Sequence, residues 1–505
     1  MKKKKDKKKI MLGPVITIII LTIILMFLST IFSMLEVQGQ KTAIVNGTLE
    51  SSLVTVQNIF TINGLKYIFS NVVMNFRSFE SLVLIIMSFI AISIGESSGL
   101  FKAIFTPFRK LNSKTTTFLV FFLGVISSLI GEYSYIMLIP LVSVMYRYLG
   151  KSQMLGVLTI FLGITLGYGT GLWYNFDTFQ LGNLTEAAAI VDVDKTYQFS
   201  LLSNIYIMVV STFVLSFVGT LLIHKFLEPK FKKPMIDDDD LVISKRALFL
   251  SNITFIILLG LSIYMIIPGL PGSGILLDMN QETYIAQVFS ETAPFRDGLM
   301  FIFVIISMIC GGVYGYFSGN VKNTHEYSVD LSKGFNNIGY LLVLLFFTSL
   351  MTGILEWTNL GEVVATNVIE FITSLEFTGL PLIICFVVAI VLISVLIPSS
   401  VTKWMLASPV IIPLFMRANI TPDFSQFIFS VADGIGKSMT PLFIYFIVMV
   451  AFLQKDNYTS NEVTIFGTYK IIFPVALMMA GLWILILSCW FLAGLPLGIG
   501  GMATL

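Results

Sequence analysis

Apolar runs of about twenty residues, each long enough as a helix to span the hydrocarbon core of a bilayer, recur from one end of this chain to the other. Inside a bilayer the backbone must satisfy its own hydrogen bonds, so only helices or a closed barrel can cross. A barrel strand would alternate apolar and polar residues, whereas these runs are continuously apolar. Only 12% of the 505 residues are charged and 56% are hydrophobic, far from a soluble composition. The chain therefore reads as an all-α polytopic integral membrane protein. Little sequence is left for a soluble catalytic domain or for a nucleic-acid partner, and no enzyme activity is expected. Cys310, Cys385 and Cys489 lie far apart in apolar runs, and His224 and His325 stand singly, so neither a metal nor a cofactor is expected.

The Lys-rich residues 1–9 form a basic tail that the positive-inside rule holds in the cytoplasm of a cell with a plasma membrane. The apolar stretch 10–35 is too long for a signal-peptide core and reads as a retained first helix. Further spans are expected at 79–101, 154–174, 199–226, 247–267, 298–318, from 338, at 426–453 and at 471–494, nine in all. One transmembrane domain then covers 10–494, followed by a short tail, 495–505. Lys232, Lys233 and the run Asp237 to Asp240 belong to a solvated cytoplasmic loop.

Two stretches resist this scheme. Residues 115–148 carry Ser127-Ser128 and Gly131-Glu132-Tyr133-Ser134-Tyr135 in their middle, with basic residues at both ends. Residues 380–416 carry Pro398-Ser399-Ser400-Val401-Thr402-Lys403-Trp404. Each reads as a re-entrant hairpin whose polar tip is buried in protein, the two entering from opposite faces. Ile139-Pro140-Leu141 precedes Ser152-Gln153 at the spacing with which Ile412-Pro413-Leu414 precedes Ser425-Gln426. Hairpin, return and interrupted helix follow in the same order in both places, which suggests an inverted-topology repeat and a secondary transporter.

Ionisable residues within spans are costly and mark candidate sites. They are Glu96, Glu132, Asp177, Glu356, Lys403, Asp433 and Lys437. Asp433 and Lys437 are four apart and can pair on one helix face. Pro441 breaks the same helix and frees carbonyls. Lys403, Trp404 and Ser399 at a hairpin tip offer a cation, an aromatic plate and a hydroxyl to a flat anion, with a packing wedge the other reading of the tryptophan. Asp177 and Glu132 are candidates for a coupling H+ or Na+. Gly436-Lys437-Ser438 imitates the end of a phosphate-binding loop, but Val431 stands where that loop needs glycine.

These residues resemble the AbgT family, the p-aminobenzoyl-glutamate transporters. The resemblance rests on Gly95-Glu96-Ser97-Ser98-Gly99-Leu100, on Tyr135 through Leu141, on Trp357-Thr358-Asn359-Leu360-Gly361, on Lys403-Trp404, and on the spacing of Asp433 to Thr440-Pro441. It implies a homodimer of nine-span protomers with two hairpins, ion-coupled transport, and functional roles for Asp177, Trp404, Asp433 and Pro441. Its substrates would include an aromatic aminoacyl-glutamate taken up and sulfonamide-like antimetabolites exported. Three departures stand out. Ser430 occupies the place of a family arginine, Val401 that of a serine, and Thr170 or Gly171 that of an asparagine. Lys437, seven residues after Ser430 and on nearly the same face, would supply the relocated charge. The expected function is ion-coupled transport of a small organic anion or an amphipathic aromatic compound. The alternative is a non-transporting member of the same scaffold that supports a cell-envelope polymer such as teichoic acid.

Overall fold

The computed structural model describes residues 12–231, 240–457 and 463–505. The basic tail 1–9, Lys232, Lys233 and Asp237 to Asp239 lie outside the described residues.

The chain begins with α1 (Pro14–Met34), then turns into a ribbon of β1 (Gln38–Val45) and β2 (Thr48–Thr55). The ribbon's two-residue loop is Asn46-Gly47, both at positive φ, the conformation that tight hairpins require and that Asn-Gly adopts at low cost. Lys41 pairs with Glu362 at 2.5 Å, and Asn367 donates to the Gln38 carbonyl at 3.0 Å. The ribbon is thereby fastened to the helix that spans Leu360–Ser374.

Helix α2 (Ile62–Arg77) comes before the expected second span, 79–101, which is α3 (Glu80–Ser97) and the start of α4 (Leu100–Phe105), leading to the first hairpin. Its arms are α5 (Ser113–Ile126) and α6 (Tyr133–Tyr148), and it continues into α7 (Gln153–Leu166) and α8 (Phe176–Asp192). Asn112 and Asn175 cap α5 and α8 by accepting from the Thr115 and Thr178 amides at 2.7 and 2.6 Å, which fixes where each helix starts.

A peripheral set follows: α9 (Ile205–Leu222), α10 (Lys245–Tyr264), α11 (Tyr284–Phe289), α12 (Pro294–Ser318), α13 (Thr324–Lys333) and α14 (Gly339–Trp357). Amphipathic α15 (Leu360–Ser374) then precedes the second hairpin, formed by α16 (Gly379–Ile393) and α17 (Ser400–Arg417). The chain ends with α18 (Pro422–Met439), α19 (Ile444–Lys455) and α20 (Ile465–Ala493).

Among the described residues nine helical stretches are long and apolar enough to cross a membrane. The number agrees with the expectation, but the membership differs. The stretch Ser113–Ile130 is one of the nine, whereas α7, expected as a full span over 154–174, has only 14 residues. Gly167, Gly169 and Gly171 end it early, the last two at positive φ. The order hairpin, helix, break, helix recurs in α5–α8 and α16–α19. The five residues matched in sequence do not keep that register, because Ser152 immediately precedes α7 whereas Ser425 lies inside α18.

Helix α18 runs through the centre, and nearly all its residues are buried. Two glycines allow this. A β-carbon on Gly434 would strike the Thr165 carbonyl of α7, and one on Gly436 would lie 2.5 Å from Ser394 at the end of α16. The polar face of α18 is thereby pressed against both hairpin systems.

Candidate functional site

The two tips meet at the broken ends of the two interrupted helices. At the first tip Gly131 adopts φ +57°, and a β-carbon there would sit 3.2 Å from an Asp177 carboxylate oxygen. Ser128 Oγ donates to the Thr170 carbonyl in the break after α7. That break lies against α18, for a β-carbon on Gly169 would be 2.5 Å from the Ser430 side chain. So close an approach of Ser430 leaves no room for a side chain at 169. At the second tip Ser399 caps α17, accepting from the Thr402 amide at 3.3 Å.

Below the tips lies a wholly buried charge cluster. Asp433 Oδ1 receives the Lys403 ammonium, and Lys403 also donates to Ser394 Oγ at 2.9 Å. Asp433 Oδ2 accepts from Ser400 Oγ at 2.6 Å and lies 3.4 Å from Lys437 Nζ. Lys437 donates to Ser400 Oγ at 2.6 Å, lies over the Tyr168 ring at 4.2 Å from its centroid, and stands 3.9 Å from Glu132 at the first tip. Asp433, Lys403 and Lys437 are each at most 1% exposed. Charges so deep require partners, since uncompensated burial costs several kcal/mol per ion. One carboxylate bridging two ammonium groups satisfies most of that need.

Above the cluster is a cavity of about 470 Å³. Its wall includes Gly131, Glu132, Asp177, Ser399, Ser400 and Tyr445. The N-termini of α6, α8, α17 and α19 all open onto it through Tyr133, Phe176, Ser400 and Ile444. Unsatisfied amides and the helix dipole make each of these ends favourable to negative charge. Arg296, in the first turn of α12, also lines the cavity. Its Nη1 is buried without a hydrogen-bond partner, and the guanidinium lies 5.8 Å from the Phe176 ring centroid. Glu132, Asp177, Glu291 and Glu356 add carboxylates to the same wall.

The structure thus draws Glu132, Asp177, Ser399, Lys403, Asp433 and Lys437 into one region, and not all of them face the cavity. Lys403 does not face the cavity; it is taken up by Asp433. Trp404 is fully buried on the far side of α17, where its indole N–H donates to Thr185 Oγ1 at 2.9 Å and its ring packs 4.5 Å from Phe429. It is a wedge between α8 and α18, not a plate lining the cavity. Pro441 lies in the break between α18 and α19 and is not on the cavity wall. Glu96 is elsewhere, paired with Arg147 at 2.6 Å. Sequence reasoning missed Arg296, because it precedes the apolar run expected from 298. It also passed over Ser400 and Ser394, which were visible only as generic tip polarity.

The sequence model of the AbgT putative transporter family matches residues 8–505, almost the whole chain. The chain belongs to this family. This AbgT-family protein is 24% identical over 495 residues to the p-aminobenzoyl-glutamate transport protein of Escherichia coli K12, covering 96% of this chain and 93% of that one. Among solved structures it is similar to MtrF of Neisseria gonorrhoeae, described within a class of antimetabolite efflux pumps. The identity is 25%, the TM-score 0.50, and 98% of each chain is covered. It is also similar to the Alcanivorax borkumensis YdaH transporter, at 26% identity and a TM-score of 0.49, covering 96% of this chain and 100% of that one. The AbgT-family protein is accordingly a multi-pass membrane protein of a transporter family.

Proposed function

We propose that this protein is an ion-coupled secondary transporter of the plasma membrane, with a cytoplasmic N-terminus and a homodimeric assembly. Its substrate is a small organic anion or an amphipathic aromatic compound. The observation that carries this reading is the cavity at the two hairpin tips, where four helix N-termini and the Arg296 guanidinium offer donors to an anion, among the wall carboxylates and beside Phe176, Phe443 and Tyr445. An arginine can take a carboxylate with two parallel hydrogen bonds, and the aromatic side chains suit a ring. The Escherichia coli and Neisseria gonorrhoeae relatives point to the same class, an aminobenzoyl-glutamate or an antimetabolite.

Glu132 and Asp177 are the proposed ion-coupling carboxylates, with Asp433 the charge centre beneath them. An anion and a cation bound in one cavity each favour the other's binding, which is what coupling requires. Lys437 and Ser399 border the same region, and Trp404 and Pro441 position its walls.

The test is uptake into, or efflux from, proteoliposomes under imposed H+ or Na+ gradients, with labelled p-aminobenzoyl-glutamate and a sulfonamide. Flux that requires a gradient is expected, with KM raised at least tenfold in Arg296→Gln and partly restored in Arg296→Lys. Flux indifferent to both the gradients and Arg296 would sink the proposal.

A further inference from the structure

Lys437 is held as a bound cation would be held. Its ammonium is surrounded by Ser400 Oγ at 2.6 Å, Asp433 Oδ2 at 3.4 Å and Glu132 Oε1 at 3.9 Å, with the faces of Tyr168 and Phe443 at 4.2 and 5.5 Å to their centroids. These contacts come from five different segments: the second hairpin tip, α18, the first hairpin tip and the two helix breaks. An oxygen cage assembled from both tips and α18, beside two helix breaks, resembles the sites that discontinuous helices build for a coupling ion. Here a side chain of α18 occupies its centre.

The charges agree with this. Lys403 and Lys437 carry two positive charges against the two negative ones of Asp433 and Glu132, so the contacting set is balanced. Lys403 is committed to Asp433 Oδ1 and Ser394, which leaves Oδ2 and Glu132 to Lys437. Without the Lys437 charge the set would carry one excess negative charge, which one monovalent cation would neutralise. Such an ion has a route in, because Ser400 and Glu132 both line the cavity above. The Tyr168 hydroxyl, on the ring that faces Lys437, is buried and makes no hydrogen bond.

We propose that Lys437 is a resident substitute for a coupling Na+, so that the oxygen cage of Ser400, Asp433 and Glu132 is a latent sodium site that the native protein keeps closed. This rests on the transporter reading for its meaning, but its test does not depend on transport.

Purified full-length protein is melted in detergent while NaCl is exchanged for choline chloride at constant ionic strength. Ligands that bind only the folded state raise its melting temperature with saturation. Wild type is expected to show no Na+-specific shift. Lys437→Ser, which removes the ammonium and leaves a small hydroxyl, is expected to gain a saturable, Na+-specific rise that KCl reproduces weakly or not at all. Lys437→Gln, which keeps the bulk of the side chain, serves where the serine variant does not fold. A saturable Na+ effect in wild type overturns the proposal, as does a folded variant that ignores Na+. If neither variant folds, equilibrium binding of radioactive Na+ to wild type decides, with saturable binding against the proposal and none in its favour. In proteoliposomes the variant's flux should become Na+-dependent. Absence of flux from both proteins counts against the transporter reading alone, since the melting result stands without it.

Discussion

Lys437, on the central broken helix, stands 3.9 Å from Glu132 at the tip of the opposite hairpin. That separation joins the two halves of the bundle by a charged contact at their tips, beside the peripheral pair of Arg417 with Asp192. Below it, Asp433 holds both lysines. The cluster should therefore respond unequally to the loss of its members.

Asp433→Asn strips two buried ammonium groups of their shared partner at once and should destabilise the protein by about 3–5 kcal/mol, as when one member of a buried pair is removed. Lys403→Met leaves Asp433 with Lys437 and should cost clearly less. Thermal or denaturant unfolding of the two variants and of the double variant Asp433→Asn/Lys403→Met gives the comparison. Equal losses in both single variants would mean that the carboxylate is not the common partner.

Trp404 should behave as a packing residue. Trp404→Phe keeps the ring against Phe429 and gives up the bonds to Thr185 and Leu181, a cost of about 0.5–1.5 kcal/mol. Trp404→Ala opens a hole where α8 meets α17 and should cost about 3–5 kcal/mol. Substrate KM should be unchanged in the Phe variant once the amount of folded protein is matched. A raised KM with intact folding would return Trp404 to the cavity wall.

The close approaches of α18 can be tested with alanine. Gly436→Ala meets the Ser394 side chain and Gly434→Ala meets the Thr165 backbone. Both are overpacked, at about 1–3 kcal/mol each, and Gly434→Ala should be the worse, since a backbone carbonyl yields less than a side chain. Gly481, in the interior of α20 with nothing within 4 Å of a built β-carbon, is the control, where alanine should gain about 0.5–1 kcal/mol of helix propensity. Melting temperatures ranked in that order support the packing described here.

A pH effect is expected outside the spans. In the loop before α11 the Asp278 carboxylate accepts from Thr292, from the Asn280 amide at 3.1 Å and from Gln281 at 3.3 Å, and these bonds hold it below its ordinary value. A carboxylate with a lowered value in the folded state contributes stability above its unfolded value and loses it as pH falls through the folded one. Protection of the 278–293 amides from hydrogen exchange, taken relative to the intrinsic rate at each pH, should therefore fall in acid, and Asp278→Asn should remove that dependence. Protection that is flat with pH in the native protein would contradict it.

The spans were legible because lipid allows few ways to satisfy a backbone, and the tips because a serine or glutamate is conspicuous in an apolar run. The pairing of Asp433 with Lys437 was legible too, since four residues on a helix are always neighbours. What escaped were relations that only folding creates. Nothing in Lys403-Trp404 tells which of the two turns toward α18 and which toward α8, and both turn away from the cavity. Arg296 reaches the wall from a helix that carries no other candidate. The ribbon, by contrast, could have been read from Asn46-Gly47, a local signal overlooked in a search for long apolar runs.

That ribbon has a practical consequence. Its strands are mostly exposed and fixed to α15 by Lys41 with Glu362 and by Asn367, and α15 packs directly on both arms of the second hairpin. A spectroscopic label on Glu50→Cys, paired with one on an exposed residue of α9, would act as a pointer on a dial. It would register any displacement of the second hairpin from the water side while leaving every side chain of the cavity in place.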